Sequence, residues 1–218
     1  MDFHDGISRY GAGIIQGFKD NKIPITLLIK DKRQLKMLPS DMPYLLVNDP
    51  LSFRELFIAR KLNRLGVDAV ISPFQIIGTW GRKYKLIVTL HDTIFYLHPK
   101  APTFLSLSAR IVWRLFHMAK WPQRILLNSA DKVATVSNYS KKNIEDLGLT
   151  DKEIIVAYNA PSLSKSQAHR GNKDTKDIIY MGSFMPYKNV EVLIKGMDFQ
   201  IALMMMIFQI SLKKIQKS

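Results

Sequence analysis

Short apolar runs alternate along this chain with longer stretches of helical period. Ile23–Ile29 (IPITLLI) and Tyr44–Val47 (YLLV) are compact apolar runs and predict strands; the second lies between Pro43 and Asn48-Asp49-Pro50. Ser52 with Glu55 three residues on predicts a capping box, and Phe53, Leu56, Phe57, Arg60 and Lys61 follow at helical spacing up to Gly66, a C-terminal cap. Asp68–Ser72 (DAVIS) and Lys85–Leu90 (KLIVTL) are near-continuous apolar runs, which suit a parallel sheet covered on both faces. Helices are predicted from Thr103 to Met118 and from Pro122 to Ala130. A strand follows at Lys132–Val136, then a helix capped by Ser137 that ends near Gly148, and a last strand at Glu153–Ala157.

This rhythm predicts an α/β fold with a doubly wound, mostly parallel Rossmann-like sheet over residues 1–161. Residues 162–176 have almost nothing to bury and read as a linker. Ile178–Met181, Gly182 and a helix from about Asn189 to Met197 then form a new βα unit, so 177–198 reads as the start of a second lobe. Residues 199–218 form an atypical, Met-rich tail.

Composition narrows the function classes. A chain of 218 residues with 47% hydrophobic and 23% charged residues can bury a core, which excludes wholesale disorder. Absence of Cys removes disulfides, thiolate metal sites and a thiol nucleophile. The net charge of +14 directs attention to anionic partners: nucleic acid, lipid headgroups or phosphorylated small molecules. No recognised nucleic-acid motif accompanies the charge, and none is expected as partner. Met1–Tyr10 is too polar for a secretory leader, and Phe199–Leu212 is shorter than the ~20 residues a bilayer span requires. The expected location is cytoplasmic, with peripheral contact at the inner face of the membrane. Arg110–Phe116 with Lys120, Trp121 and Arg124 interleaves basic and large apolar groups; it reads either as an interfacial helix or as one that buries its apolar stripe in the core.

Five segments resemble the family 4 glycosyltransferases, two-lobed enzymes of the GT-B fold. GISRYGAGIIQGF from Gly6 resembles their glycine-containing loop and first helix, and LIVTLHDTIFYLHP (Leu86–Pro99) their strand ending in a His-Asp pair. SADKVATVSNYSKKNIEDLGL (Ser129–Leu149) resembles their strand-Ser-helix unit, and IIVAYNAP (Ile154–Pro161) the lobe-crossing segment. DIIYMGSFMPYKNVEVLIKG (Asp177–Gly196) resembles the first βα unit of the donor lobe. The blocks occur in family order over residues 6 to 197.

The resemblance implies a retaining, metal-independent hexosyltransferase with a nucleotide-sugar donor and no further cofactor. It would move mannose or glucose to a glycan or lipid-linked acceptor in cell-envelope or polysaccharide synthesis. Negative charge then builds on the departing phosphate, and backbone amides at a glycine loop and helix N-terminus can bind it. Gly6, Gly11 and Gly13 are the candidates, although the same glycines suit a turn packed on a neighbouring helix. Lys188 is the point charge for the diphosphate, or a solvated Lys in a first helical turn. His91 would contact the transferred sugar or the acceptor, past the end of a buried strand where open α/β sheets hold ligands; a structural hydrogen-bonded role is its alternative. Asp92 would orient His91 or cap a helix. Ser137 and Ser140 are capping residues first and ligand contacts second, and Asn159 reads as a turn residue.

The sequence also departs from the family. Family members place a central strand before the glycine loop, and Met1–Asp5 cannot supply an apolar strand of ~5 residues. A late start is expected, with the two neighbouring strands left short of a partner. The family's donor lobe carries a pair of glutamates that holds the nucleotide sugar, absent after Gly182, and Phe199–Ser218 reads as out-of-frame translation. The chain alone is therefore expected to be weakly active or inactive. The alternative is a non-enzymatic remnant that binds an acceptor or an anionic membrane through its basic face.

Overall fold

The computed structural model describes residues 6–50, 52–98, 101, 105–160, 180, 182, 184 and 186–197. The tail at 199–218, the linker at 162–176, Met1–Asp5 and most of the strand expected at Ile178–Met181 lie outside the described residues. The chain divides into two compact units, Met1–Lys165 and Ser166–Ser218, each described by itself.

The first unit is α/β with parallel strands throughout, the fold expected of a Rossmann-like lobe. Its elements are α1 (Gly6–Asp20), β1 (Leu27–Ile29), β2 (Tyr44–Leu46), α2 (Ile58–Arg64), β3 (Ala69–Ser72), β4 (Lys85–Thr89), α3 (Ile94–Leu97), α4 (Leu107–Ala119), α5 (Trp121–Asn128), β5 (Lys132–Thr135), α6 (Asn138–Asp146) and β6 (Ile154–Val156). The expected single sheet is two: β1 pairs with β2, and a second sheet has the order β3-β4-β5-β6. Among the described residues no strand covers the second edge of β1 or of β3.

The four-stranded sheet forms where the apolar runs are most continuous. Leu86, Val88 and Val133 are fully buried, and α2, α5 and α6 pack Leu62, Leu127 and Ile144 into the same cluster. Two of these helices end as their glycines predict. After α2, Gly66 takes φ +66°, its amide donates to Asn63 O and that of Val67 to Leu62 O. After α6, Gly148 takes φ +62°, with Leu149 N donating to Ile144 O, a six-to-one closure that also brings two buried side chains together.

Three local expectations are corrected. Gly11 and Gly13 lie within the 15-residue α1 and not in a loop. The strand expected from Ile23 begins only at Leu27. The end of α1 takes Ile23 instead: Ile23 N donates to Phe18 O and Lys22 N to Lys19 O, with Lys22 at φ +56° where a glycine would be unstrained. Ser52 and Glu55 form no capping box. The Ser52 hydroxyl donates to Asp49 O, while the Glu55 carboxylate accepts from Asn48 Nδ2 (2.6 Å) and the Gly78 amide (3.1 Å). Phe53–Phe57 is accordingly a 3-10 turn, and α2 starts at Ile58. The capping box present is Asp31 with Gln34, ahead of a 3-10 turn at Lys32–Met37.

In the second unit, Pro186–Lys188 forms a 3-10 turn and residues 190–197 are helical, with Val190 buried.

Candidate functional site

A parallel sheet has two unlike ends, and ligands of open α/β sheets collect at the carboxyl ends of the strands. Here that end is lined by Ser72 (β3), Thr89 (β4) and Thr135 (β5), all buried. Thr89 Oγ1 donates to Ser72 O at 3.0 Å, and the Ser72 hydroxyl donates to Phe74 O at 2.7 Å, which shapes the turn leaving β3. Those hydroxyls fix the backbone on which the next layer sits.

His91 lies in that layer, two residues beyond β4. Its Nε2 is 2.9 Å from Pro73 O, and its ring stands edge-on to Tyr10 of α1, centroids 4.8 Å apart at 79°. A carbonyl oxygen only accepts, so Nε2 must carry the proton and donate. In the neutral ring Nδ1 is then a bare acceptor, with no hydrogen-bond partner among the described residues. Gly11 completes the contact, since a Cβ there would meet Pro73 Cβ and Cγ at 3.5 Å. Thus α1, the turn after β3 and the tip of β4 converge on one histidine.

Tyr10 is buried, and burial raises its phenol pKa above the ordinary value, partly offset by the nearby Thr89 hydroxyl. The geometry is too poor for a hydrogen bond, so the Tyr10 hydroxyl is buried without a partner, as is Thr135 Oγ1. Buried polar atoms are paired far more often than not, so two at one strand end mark unused hydrogen-bonding capacity.

The other anticipated residues are placed as follows. Asp92 is exposed and caps α3, its Oδ1 accepting from Ile94 N at 3.0 Å. Of its two anticipated roles the cap is the one seen, and the hydrogen bond of the His91 ring goes to Pro73. Ser137 caps α6: its Oγ accepts from Ser140 N and donates to Ser140 Oγ, both at 3.0 Å. Gly6 opens α1, so its amide belongs to the first turn, which the helical ladder leaves free. Gly11 and Gly13 sit deeper, where the ladder engages their amides; the phosphate role expected of those two N–H groups does not fit that placement. Asn159 is exposed beyond β6. Lys188 is exposed in the second unit, its Nζ 5.4 Å from the Tyr187 ring centroid. Among the described residues no group of three or more His, Asp or Glu is placed to hold a metal ion.

Tyr10, Pro73 and Thr135 were not anticipated. Tyr10 stands among the glycines of GISRYGAG, and its burial becomes legible only once that run is known to be a helix. A shallow hollow of about 420 Å³, lined by Lys19, Lys22, Ile23, Met42 and Pro43 among others, lies at the opposite, amino ends of β1 and β2 and shares no residue with this site.

No curated protein and no solved structure matches the chain. Residues 6–165 do match the profile of Glycosyltransferase Family 4, a span that holds α1, all six strands and His91. With a parallel α/β lobe, and its histidine at the strand ends, the chain belongs to glycosyltransferase family 4.

Proposed function

We propose that the protein transfers a hexose, mannose or glucose, from a nucleotide sugar to a glycan or lipid-linked acceptor of cell-envelope or polysaccharide synthesis, with retention and without a metal. The observation that carries this reading is the state of His91. Its ring is braced by Tyr10 and its Nε2–H is held by Pro73 O, which in the neutral ring makes Nδ1 an acceptor. Sugar hydroxyls are donors, so Nδ1 is suited to grip one and fix the sugar's orientation as the glycosidic bond to phosphate breaks.

Charge on the departing diphosphate falls in this proposal to the first-turn amide of Gly6; Lys188, in the second unit described by itself, is a compact cation of the kind that binds phosphate. Asp92 contributes by fixing the chain direction after His91, and Ser137 by fixing α6.

The test is a transfer assay with labelled mannosyl and glucosyl nucleotides. His91→Ala should lower turnover by about a hundredfold, the scale of one lost transition-state contact. Because His91 is only half-buried, circular dichroism should show an unchanged fold. Wild-type turnover in the alanine variant would remove His91 from the reaction.

A further inference from the structure

The helix α4 has two apolar faces, and only one is covered. Ala109, Trp113, Phe116 and His117 form the inner face. Phe95 of α3 stands edge-on to Trp113 with centroids 5.1 Å apart, and Tyr96 lies 5.2 Å from His117. Burial lowers the pKa of His117, partly offset by the hydrogen bond that Nδ1 makes to Trp113 O at 2.8 Å. The outer face carries Leu107 (74% exposed), Ile111, Val112 (67%), Leu115 and Met118, and Trp121 and Ile125 extend it onto α5. At 3.6 residues per turn the five α4 residues span an arc of about 140°. A helix apolar on this much of its circumference is ordinarily buried, yet no residue of α4 is.

The surrounding charge is one-sided. Arg110 and Arg114 border the outer arc, and Lys120 follows it. From Thr93 to Ala130 the chain has five Lys or Arg and no Asp or Glu. A protein partner that buries an apolar arc does not need its border stripped of every carboxylate, whereas a negatively charged bilayer surface attracts such a border and accepts the apolar arc below its headgroups.

We propose that the outer face of α4, with Trp121 and Ile125, lies in the interface of an anionic phospholipid membrane. The inner face rests on α3, which begins three residues after His91, so a protein docked this way holds its sugar-handling histidine near the lipid surface. The proposal goes beyond the transfer reading and does not depend on it. Vesicle binding and turnover in the His91 variant are read separately.

The experiment is co-sedimentation of the full chain with phosphatidylcholine vesicles, with and without phosphatidylglycerol. Wild type should partition onto the phosphatidylglycerol vesicles and release as salt screens the attraction. Ile111→Glu/Leu115→Glu should weaken binding at least about tenfold, from two lost apolar insertions and two added negative charges. Arg110→Ser/Arg114→Ser should weaken it about tenfold on phosphatidylglycerol vesicles only, at roughly a few-fold per basic residue. Both pairs are exposed, so native circular dichroism is expected. Wild type left in the supernatant, or both variants sedimenting like wild type, would overturn the proposal. So would a wild type that ignores vesicles but self-associates through the same residues, which would assign the face to a second copy.

Discussion

The two ends of the β3–β6 sheet are built to opposite specifications. At the amino end, charged groups are paired with strand backbone. The Asp131 carboxylate accepts from Leu86 N at 2.8 Å, from Arg82 Nη1 at 2.6 Å and from Lys85 Nζ at 3.3 Å, while Arg82 also bonds Tyr84 O and, at 3.0 Å, Ser129 O. Arg124, Asn128 and Thr150 close a second network around Asp151 and the end of α6. At the carboxyl end, His91 uses one ring nitrogen, and the Tyr10 and Thr135 hydroxyls are buried without partners. Tyr84, at the amino end, is the exception, with a hydroxyl also unpartnered in the core. One end uses its polar groups to hold strands in register, and the other leaves two buried hydroxyls and one histidine nitrogen without a partner among the described residues.

Substitutions at the two ends should therefore separate stability from activity. His91→Ala is the largest effect on activity: about a hundredfold in turnover, or about 2.7 kcal/mol, with a small change in urea midpoint. Asp131→Ala should do the reverse. It leaves the Leu86 amide without its acceptor and takes one of three from Arg82, and costs about 2 kcal/mol of stability by urea titration, with turnover per folded molecule little changed.

The same carboxylate gives the comparison a pH signature. Hydrogen bonding from the Leu86 amide, then from Arg82 and Lys85, holds Asp131 down to about 2 against an ordinary 3.8. A depressed folded-state pKa contributes stability above the unfolded value and loses it as pH falls, here between about 4 and 2. With the side chain 31% exposed, solvent screening leaves on the order of 1 kcal/mol. Urea midpoints for wild type should fall across that window more steeply than those for Asp131→Asn.

Smaller effects sharpen the contrast. Tyr10→Phe deletes an unpartnered buried hydroxyl and keeps the ring that braces His91, so stability should be unchanged or up to about 1 kcal/mol higher, with transfer little changed. A loss of 2 kcal/mol or more would show the hydroxyl to be structural. Lys22→Gly, at φ +56° after α1, should stabilise by about 0.5–1 kcal/mol in thermal unfolding without affecting transfer.

What the sequence disclosed follows the same division. The buried strands β3 to β6 were legible because Val70, Leu86, Val88 and Val133 sit in near-continuous apolar runs, and α2 and α6 because Gly66 and Gly148 terminate them. The segment GISRYGAG misled because four glycines in α1 reduce helix propensity, each by about 1 kcal/mol, yet the run is helical, with Tyr10 buried against His91. Ser52 and Glu55 misled because a capping pattern fixes residue types but not partners. Gly78 approaches Glu55 so closely that a Cβ there would lie 1.7 Å from Glu55 O, and its amide takes the carboxylate. His91 was a candidate through the family resemblance and its position after a buried strand, while its tautomer depends on Pro73 O, a backbone atom 18 residues away that no local reading supplies.

The most direct test of sugar handling at the strand ends is the ¹⁵N spectrum of His91, recorded free and with a hexosyl nucleotide. The predicted free state carries the proton on Nε2 and leaves Nδ1 bare, and the Nδ1 resonance should move toward hydrogen-bonded values as the nucleotide is added. A proton on Nδ1 in the free protein, or an Nδ1 resonance that stays put while the protein turns the sugar over, would contradict the account.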